Sequence, residues 1–565
     1  MPAPYPVLIL GAGINGAALA RELALNGLGV VIVDERDVAS GATAASSRLI
    51  HGGLRYLEHR EFALVRESLA ERTRLLRLAP QFVRPLRLFI PLSNRIGGLT
   101  SAARRFIGLN VGARPTGAAR GLWAVRIGLS LYDAYAHDPS LPRRKLFKAN
   151  SAGAVAVDPK KYRWMYAYSD AQAIYPERFA LALLEDARRL SRQAGMPFRL
   201  FTYHRATLDG QIAHVAPLDQ IGRSTGESAF SFAPAAIINA TGAWVDRTLA
   251  ALKIPSQRLI GGTKGSHFVT YDPALRDRLA GRGIYAEATD GRPIFVLPIG
   301  NGTLVGTTDL IYDDDPAAAI ASPEELRYLL DAVSALFADL RLSEKDLEMH
   351  YCGVRPLPYC GPETPAAVTR RHILQANPNC AVPFFSIIGG KLTTCRSLAE
   401  ETAATILARL GLPHSRNSRD RPLPGGEAYP ADAAAAAHEK NRLAEKFRMP
   451  HEAIEAVWLL LGTRTDAVLT EAGCADEAAP KFVAGTPMPR AFVRWVIQNE
   501  WATTLDDIVE RRLMLVYHAG LSRRTLADLA QLLSECGRLP RDRTVAEVNA
   551  AVERLQTRFG KRVAD

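Results

Sequence analysis

Gly11, Gly13 and Gly16 stand at GxGxxG spacing directly after the apolar run VLIL, and Asp34 closes the next apolar run, VVIVD. Glycine at such a turn lets the backbone approach a pyrophosphate, and the helix starting there offers unpaired N–H groups and a positive dipole end. An acid at the end of the following strand can accept hydrogen bonds from a ribose. The chemistry this spacing predicts is dinucleotide binding, with Ile14 and Asn15 carried on the same turn. Two more apolar runs close in tight turns: AIINATGAW brings Thr241 and Gly242, and FFSIIGGK brings Gly389, Gly390 and Lys391. Several glycine turns at the ends of apolar runs suit an extended cofactor buried along its length, which favours FAD over NAD. The chain carries a single fingerprint, whereas flavoproteins that exchange hydride with NAD(P) commonly carry a second nucleotide site. The electrons are therefore expected to leave to another acceptor.

Elements must hold these residues in place. The first 34 residues read strand, glycine turn, helix, strand, a βαβ unit. A helix is predicted at PERFALALLEDARRLSRQAG, followed by β-like segments that end in AIINATGAW, and shorter strands at IFVLP and TLVGTTD. FFSIIGG enters a second helix, KLTTCRSLAEETAATILARLG, so that Gly389 and Gly390 are expected to open the helix containing Lys391. HSRNSRDRPLPGG, residues 414–426, reads as the clearest linker. Beyond it, amphipathic stretches such as HEAIEAVWLLLG and TTLDDIVERRLMLVYH predict a helical C-terminal domain, with Thr504 and Asp507 as a capping box.

With 565 residues, 48% hydrophobic and 23% charged, the chain can bury a large core and is expected to form two or three domains. No run approaches the ~20 apolar residues of a membrane span, and no signal peptide precedes the first strand, so a cytoplasmic start is expected. Six cysteines lack CxxC spacing and twelve histidines form no ligand pattern, so reduced thiols and no metal site are expected. The net charge of +12 is concentrated: residues 72–148 hold fifteen basic side chains against two acidic ones, leaving the rest near neutral. A local basic surface implies a local anionic partner. In RRFIGLNVGARPTGAARGLWAVRIGLSLY, arginines alternate with Phe, Trp, Leu and Ile, the mixture of an interfacial membrane binder. No nucleic-acid partner is expected, because no reader fold accompanies the charge.

SSRLIHGGLRYLE (46–58), together with GAGINGA, TKGSHFV (263–269), GTTD (306–309), CGVRPL (352–357) and GGKLTT (389–394), resembles the FAD-dependent glycerol-3-phosphate dehydrogenases, a branch of the D-amino-acid-oxidase-like flavoproteins. The likeness runs from the first strand to about residue 425, and more loosely into EWATTLDDIVERR. It implies an α/β fold: a Rossmann-like FAD-binding domain (1–60, 150–248 and 356–425), an interleaved α+β substrate/cap domain (61–149 and 249–355) and an all-α C-terminal domain (426–565). It also implies FAD as cofactor, sn-glycerol 3-phosphate as substrate, a membrane quinone as acceptor, and peripheral attachment to an anionic membrane surface at the cytoplasmic face of the inner membrane. Pairing as a homodimer stays open. Rival readings also stay open: an oxidase that uses oxygen, a flavin-binding protein without turnover, and an amine-oxidising flavoenzyme that needs no phosphate clamp.

Oxidising a secondary alcohol requires hydride departure to the flavin and removal of the hydroxyl proton by a base. The resemblance assigns the phosphate clamp to Arg55, Arg355 and Lys391, with Tyr56 and Thr307 as neighbours and His267 as the base. Cations hold a phosphate near −2 and fix the carbon over the flavin. An imidazole near neutral pKa can accept the proton, and His51, the competitor, is expected beside the isoalloxazine. Gly52, Leu392 and Thr393 join the cofactor set, while Ser46 and Ser47 either bond FAD or cap a turn. After CGVRPL the stretch PYCGPETP departs from the family pattern, and Cys395 stands where an aromatic is common. Charge reversal across Arg104, Arg105 and Arg120 is expected to release the protein from anionic vesicles while soluble dye acceptors still turn over. Persistent binding in a vesicle co-sedimentation assay would show that this segment is not the anchor.

Overall fold

A computed structural model of the chain describes residues 5–54, 61–93, 125, 126, 129, 130, 132, 138, 141–218, 230–361, 371–476 and 479–565. The strand Val7–Leu10 is apolar and buried throughout, as a strand covered on both faces must be. It lies between Val30–Asp34 and Ile237–Asn239 in a six-stranded sheet that also contains Phe384–Ile388, Phe198–Thr202 and, at one edge, Ile373–Ala376. All pairings are parallel except that of the edge strand Ile373–Ala376. Alternate residues serve opposite faces. Val7, Ile9, Val30 and Ile32 pack on the helices Ile14–Leu25, Pro176–Gln193 and Cys395–Arg409. Leu8, Leu10, Val31 and Val33 pack on the antiparallel meander His204–Asp209, Ile212–Pro217 and Phe230–Phe232 and on the helix Val245–Ala251.

A second, ten-stranded sheet stands beside it. Its long strand Ile260–Thr270 pairs antiparallel with Met349–Pro358 and Gly302–Gly306, and the sheet continues through Pro293–Ile299, Gly283–Glu287 and Val83–Leu92 to Trp164–Ala173. Residues 164–173, expected in the cofactor domain, thus lie in this larger sheet. Met349–Pro358 crosses the expected boundary at 355/356 without a break. Helices Ala433–Phe447, His451–Leu461, Thr465–Glu471, Arg490–Asn499, Arg523–Glu535 and Thr544–Phe559 form the C-terminal part, and their core is continuous with Val269, Met349 and Tyr351 of the larger sheet. Thr504 and Asp507 exchange hydrogen bonds at 3.2 and 3.0 Å, as a capping box requires. Among the described residues no helix is long and apolar enough to cross a membrane.

The stretch 414–426 is strapped down rather than free. Asp186, fully buried, accepts from Arg21 of the glycine helix at 2.7 Å and from Arg421 of the strap at 2.9 Å. Burial alone would raise this carboxyl, but the two guanidiniums outweigh it and hold it at about 2. Gln81 donates to the Pro424 carbonyl at 3.0 Å, and Arg419 pairs with Glu400. The basic segment is likewise partly internal: Arg72 is 1% exposed and pairs with Asp170 at 2.8 Å, so it contributes nothing to a surface. Arg87 is spent on Ser169 and on the carbonyls of Pro142 and Arg143. Arg95, Arg104, Arg105, Arg114 and Arg120 lie outside the described residues.

Removing one partner of a buried ion pair leaves the other charge uncompensated. Asp186→Asn is therefore expected to cost about 3 kcal/mol, because it strands the buried Arg21. A thermal midpoint equal to the wild type's would show that the strap is held by other contacts.

Candidate active site

A cavity of about 730 Å³ opens where the central parallel strands end, the usual ligand position in such sheets. Gly11 has φ +101°, and a Cβ there would lie 2.7 Å from the Ala240 carbonyl oxygen of the neighbouring strand. A Cβ on Gly16 would lie 2.0 Å from the Gly11 carbonyl oxygen. The first glycine thus lets two strand ends converge, and the third lets the helix sit on the turn. Gly16 does not line the cavity, whereas Gly11, Gly13, Ile14 and Asn15 do. Thr43 Oγ1 accepts the Ile14 N–H at 3.0 Å. Asn15 donates to the Gly389 carbonyl at 3.4 Å, and its own buried Oδ1 has no hydrogen-bond partner. Asp34 accepts the N–H groups of Ala12 (2.7 Å) and Arg36 (2.9 Å), and burial still lifts its carboxyl to about 6. A carboxylate has about four acceptor positions, so capacity remains for ribose hydroxyls. Glycine cradle, helix N-terminus, half-buried acid and unpartnered amide oxygen together fit a dinucleotide.

The other wall comes from the larger sheet. The register pairs His267 with Tyr351, Gly265 with Gly353, and Thr263 with Arg355. Side chains alternate along a strand, so His267, Gly265 and Thr263 share the cavity face. Ser266 and Lys264 turn the other way, where both reach Glu325, at 2.9 and 2.8 Å. The glycines make room: a Cβ on Gly306 would lie 2.1 Å from the His267 ring, and one on Gly265 2.1 Å from Arg355 Nη2. His267 stacks on Tyr351 with centroids 4.9 Å apart, and its Nε2 lies 2.8 Å from Ser47 Oγ. Tyr351 donates to the Ser46 carbonyl at 3.0 Å, which fixes the Ser46–Ser47 turn against the ring. His267 is 2% exposed, and its Nδ1 is buried with no hydrogen-bond partner. Burial first, then the charges of Arg355 and Arg48, push its pKa down to about 3. The ring is neutral at physiological pH, an acceptor poised beside cations.

Arg355 is held by the protein on both terminal nitrogens. Nη1 donates to Asp309 (2.9 Å) and Thr263 (3.4 Å), and Nη2 to Thr307 Oγ1 (2.7 Å) and the Thr308 carbonyl (3.2 Å). Lys391 lines the cavity, but the helix expected around it begins only at Cys395: Gly389 and Gly390 take φ of 78° and 90°, and 391–394 form a turn closed by the Thr394 N–H on the Lys391 carbonyl. Positive φ at both glycines bends the chain too sharply for a helix to start there. Cys395 is buried, and burial raises its thiol to about 12.

Of the residues singled out from the sequence, the cavity gathers Gly11, Gly13, Ile14, Asn15, Asp34, Ser46, Ser47, His51, Thr241, Gly242, His267, Thr307, Arg355, Gly389, Gly390, Lys391, Leu392 and Thr393. His51 is set by its N–H on Thr393 Oγ1 at 3.1 Å. Gly52 stands behind the wall, its N–H donating to Tyr132 Oη at 2.9 Å. Arg55 and Tyr56 lie outside the described residues. Sequence reasoning missed Asp309, the stack of Tyr285 on Phe295 that lines the cavity at 4.9 Å between centroids, and Tyr351. Asp309 was on view as the last residue of GTTD, and Tyr351 directly precedes CGVRPL.

Comparison with known proteins adds a second line. The FAD dependent oxidoreductase family matches residues 6–394, and the C-terminal domain of alpha-glycerophosphate oxidase matches residues 417–539. A glycerol-3-phosphate dehydrogenase of Synechocystis sp. is 33% identical over 94% of this chain and 93% of its own length. A D-erythritol 1-phosphate dehydrogenase of Brucella abortus is 31% identical over 93% of this chain and 97% of its own. The structure of a glycerol-3-phosphate dehydrogenase from Bacillus halodurans complexed with FAD shares the fold, with a TM-score of 0.69 over 98% of this chain and 95% of that one, at 21% identity.

His267 also sets a pH dependence. Its folded pKa lies near 3 and its ordinary value at 6.5, so within that window the unfolded chain binds a proton that the folded chain refuses. Stability then falls as the pH drops from 6.5 towards 3. His267→Gln, which cannot titrate, is expected to lose less of its thermal midpoint over that descent than the wild type. Parallel curves would remove His267 from the titrating groups.

Proposed function

Because this chain belongs to the FAD-dependent oxidoreductase family and uses FAD as its cofactor, we propose that it oxidises sn-glycerol 3-phosphate to dihydroxyacetone phosphate and returns the electrons to a membrane quinone. One observation carries the reading: a neutral, buried imidazole shares a cavity wall with Arg355 and Thr307, and Lys391 enters the same cavity from the turn after Phe384–Ile388, beside the dinucleotide cradle. The motifs shared with glycerol-3-phosphate dehydrogenases and the names of the full-length relatives support the substrate.

Bound FAD supplies the acceptor for the hydride leaving C2. The chain's residues do the rest. His267 Nε2, with Ser47 Oγ as its neighbour, takes the hydroxyl proton. Burial is the first cause of its low basicity and the charges of Arg355 and Arg48 the second; a phosphate near −2 offsets the second, because an added negative charge favours imidazolium. Arg355, with Asp309, Thr307 and the Thr308 carbonyl setting its plane, orients that phosphate together with Lys391 and, from the sequence motif, Arg55 and Tyr56. Asp34, Asn15 and the glycine turn take the dinucleotide, with Thr241, Gly242, Gly389 and Gly390 along its length.

The single nucleotide fingerprint and the basic segment 72–148 support a membrane quinone as acceptor and peripheral attachment at the cytoplasmic face of the inner membrane. Two specific observations favour second readings. The C-terminal match to alpha-glycerophosphate oxidase favours oxygen as acceptor, and the Brucella abortus relative favours a four-carbon polyol phosphate as substrate.

Anaerobic mixing separates these readings. Glycerol 3-phosphate is expected to bleach the flavin band faster than erythritol 1-phosphate, and under air a soluble quinone analogue is expected to be reduced with little peroxide formed. No bleaching by either phosphate would end the enzymatic reading, and stoichiometric peroxide would make the chain an oxidase. Arg355→Ala is expected to raise KM for the phosphate at least tenfold with FAD retained; an unchanged KM would remove Arg355 from the clamp.

A further inference from the structure

Among the described residues, none of 426–565 lines the cavity, yet one short stretch of the helical part grips the loops that do. Asp37, 1% exposed, accepts from Arg511 Nε at 2.5 Å and from Arg512 Nη1 and Nη2 at 2.6 and 2.7 Å. Burial would raise its carboxyl, and the two guanidiniums instead hold it below the usual carboxylate range. Asp37 sits on the loop that lines the cavity through Arg36, Ser40 and Gly41 and ends in Thr43, the acceptor of the Ile14 N–H. A second grip is on the loop beside His267. Arg48, fully buried at φ +59°, donates to Tyr517 Oη at 2.6 Å, stacks on that ring at 4.8 Å, and forms a two-pronged pair with Glu177. Ser46 and Ser47 precede it in the cavity wall. A third grip joins Tyr203 Oη to Asp507, next to His204 and Arg205 of the wall.

We propose that the segment Asp507–Tyr517 is a positioning element for the cofactor: by bracing these three loops from behind, the helical C-terminal part governs how firmly FAD is retained. The physical ground is linkage. A ligand that binds only when the loops are placed and a domain that places them must stabilise one another by the same free energy. Loops held by buried, doubly bonded guanidiniums pay little ordering entropy when the cofactor binds. The proposal rests on the flavin assignment and is independent of the substrate.

Tyr517→Phe removes one hydrogen bond from Arg48 and keeps the ring; Arg512→Lys keeps the charge and loses the fork on Asp37. Arg490→Gln serves as control, since it breaks an ion pair with Asp528 confined to the helical part. FAD release from each holoprotein is followed by the return of flavin fluorescence after dilution into FAD-free buffer, alongside melting with and without saturating FAD. Tyr517→Phe and Arg512→Lys are expected to release FAD at least tenfold faster and to show a smaller rise of the melting midpoint on adding FAD. Arg490→Gln is expected to melt lower with FAD release unchanged. Wild-type release in both test variants, or equal acceleration in the control, would overturn the proposal. Its failure leaves the substrate reading untouched, since no substrate enters the assay, and a failed bleaching experiment leaves the release rates standing.

Discussion

A slip of one residue between Ile260–Thr270 and Met349–Pro358 would turn His267 and Gly265 away from the cavity and bring the face of Ser266 and Lys264 towards it. The candidate chemistry depends on this register. It is held from both sides: His267 is stacked on Tyr351 and fits only because position 306 has no Cβ, and Gly265 leaves the space that Arg355 fills. On the far face, Glu325 collects Ser266, Thr308 and Lys264, so the same strand is pinned by apolar and stacking contacts in front and by a charged anchor behind. Two strands that contribute side chains to the cavity, and the 306–309 turn between the strands Gly302–Gly306 and Leu310–Ile311, are thereby tied together.

Charge balance gives that unit its character. Burial, and then the charges of the half-buried Arg355 and the buried Arg48, disfavour imidazolium at His267, and the two cations favour an anion in the cavity. Arg355 is already bonded to Asp309, Thr307, Thr263 and a carbonyl, which fixes its plane and limits the motion open to it. An arginine so held keeps a fixed place in the cavity wall, and Asp309 tempers its positive field. That carboxylate sits in direct contact with the guanidinium, at 2.9 Å.

The basic excess of residues 72–148 divides into parts of different kind. Arg72 neutralises Asp170 in the interior, Arg77 pairs with Asp420 of the strap, and Arg87 ties down backbone carbonyls. A count of charges along a sequence treats these as equal to arginines on a surface. These pairings, of which only that of Arg72 is interior, reduce the number available to an anionic partner, and they show why a run of basic residues is a weaker indicator than its net charge suggests.

The dinucleotide turn was legible in the sequence because its requirements are local: Gly16 must let the helix sit on Gly11, and Asp34 must end the next strand, both within one βαβ unit. The order of motifs likewise located His267, Thr307, Arg355 and Lys391. What pairs with them was not legible, because hydrogen-bond partners 46 or 220 positions away leave no periodic trace: Asp309 on Arg355 and Ser47 on His267 appear only when the strands meet. The helix expected at Lys391 failed for a local reason, two consecutive positive-φ glycines, while the supposed linker 414–426 is a strap because Arg421 joins Arg21 and Arg189 on Asp186, far away in sequence. Sequence by itself determined the cofactor class and the residue types of the site. Tertiary structure decided their faces, their partners and their charge, since burial and register are properties of the assembled sheets and not of any one segment.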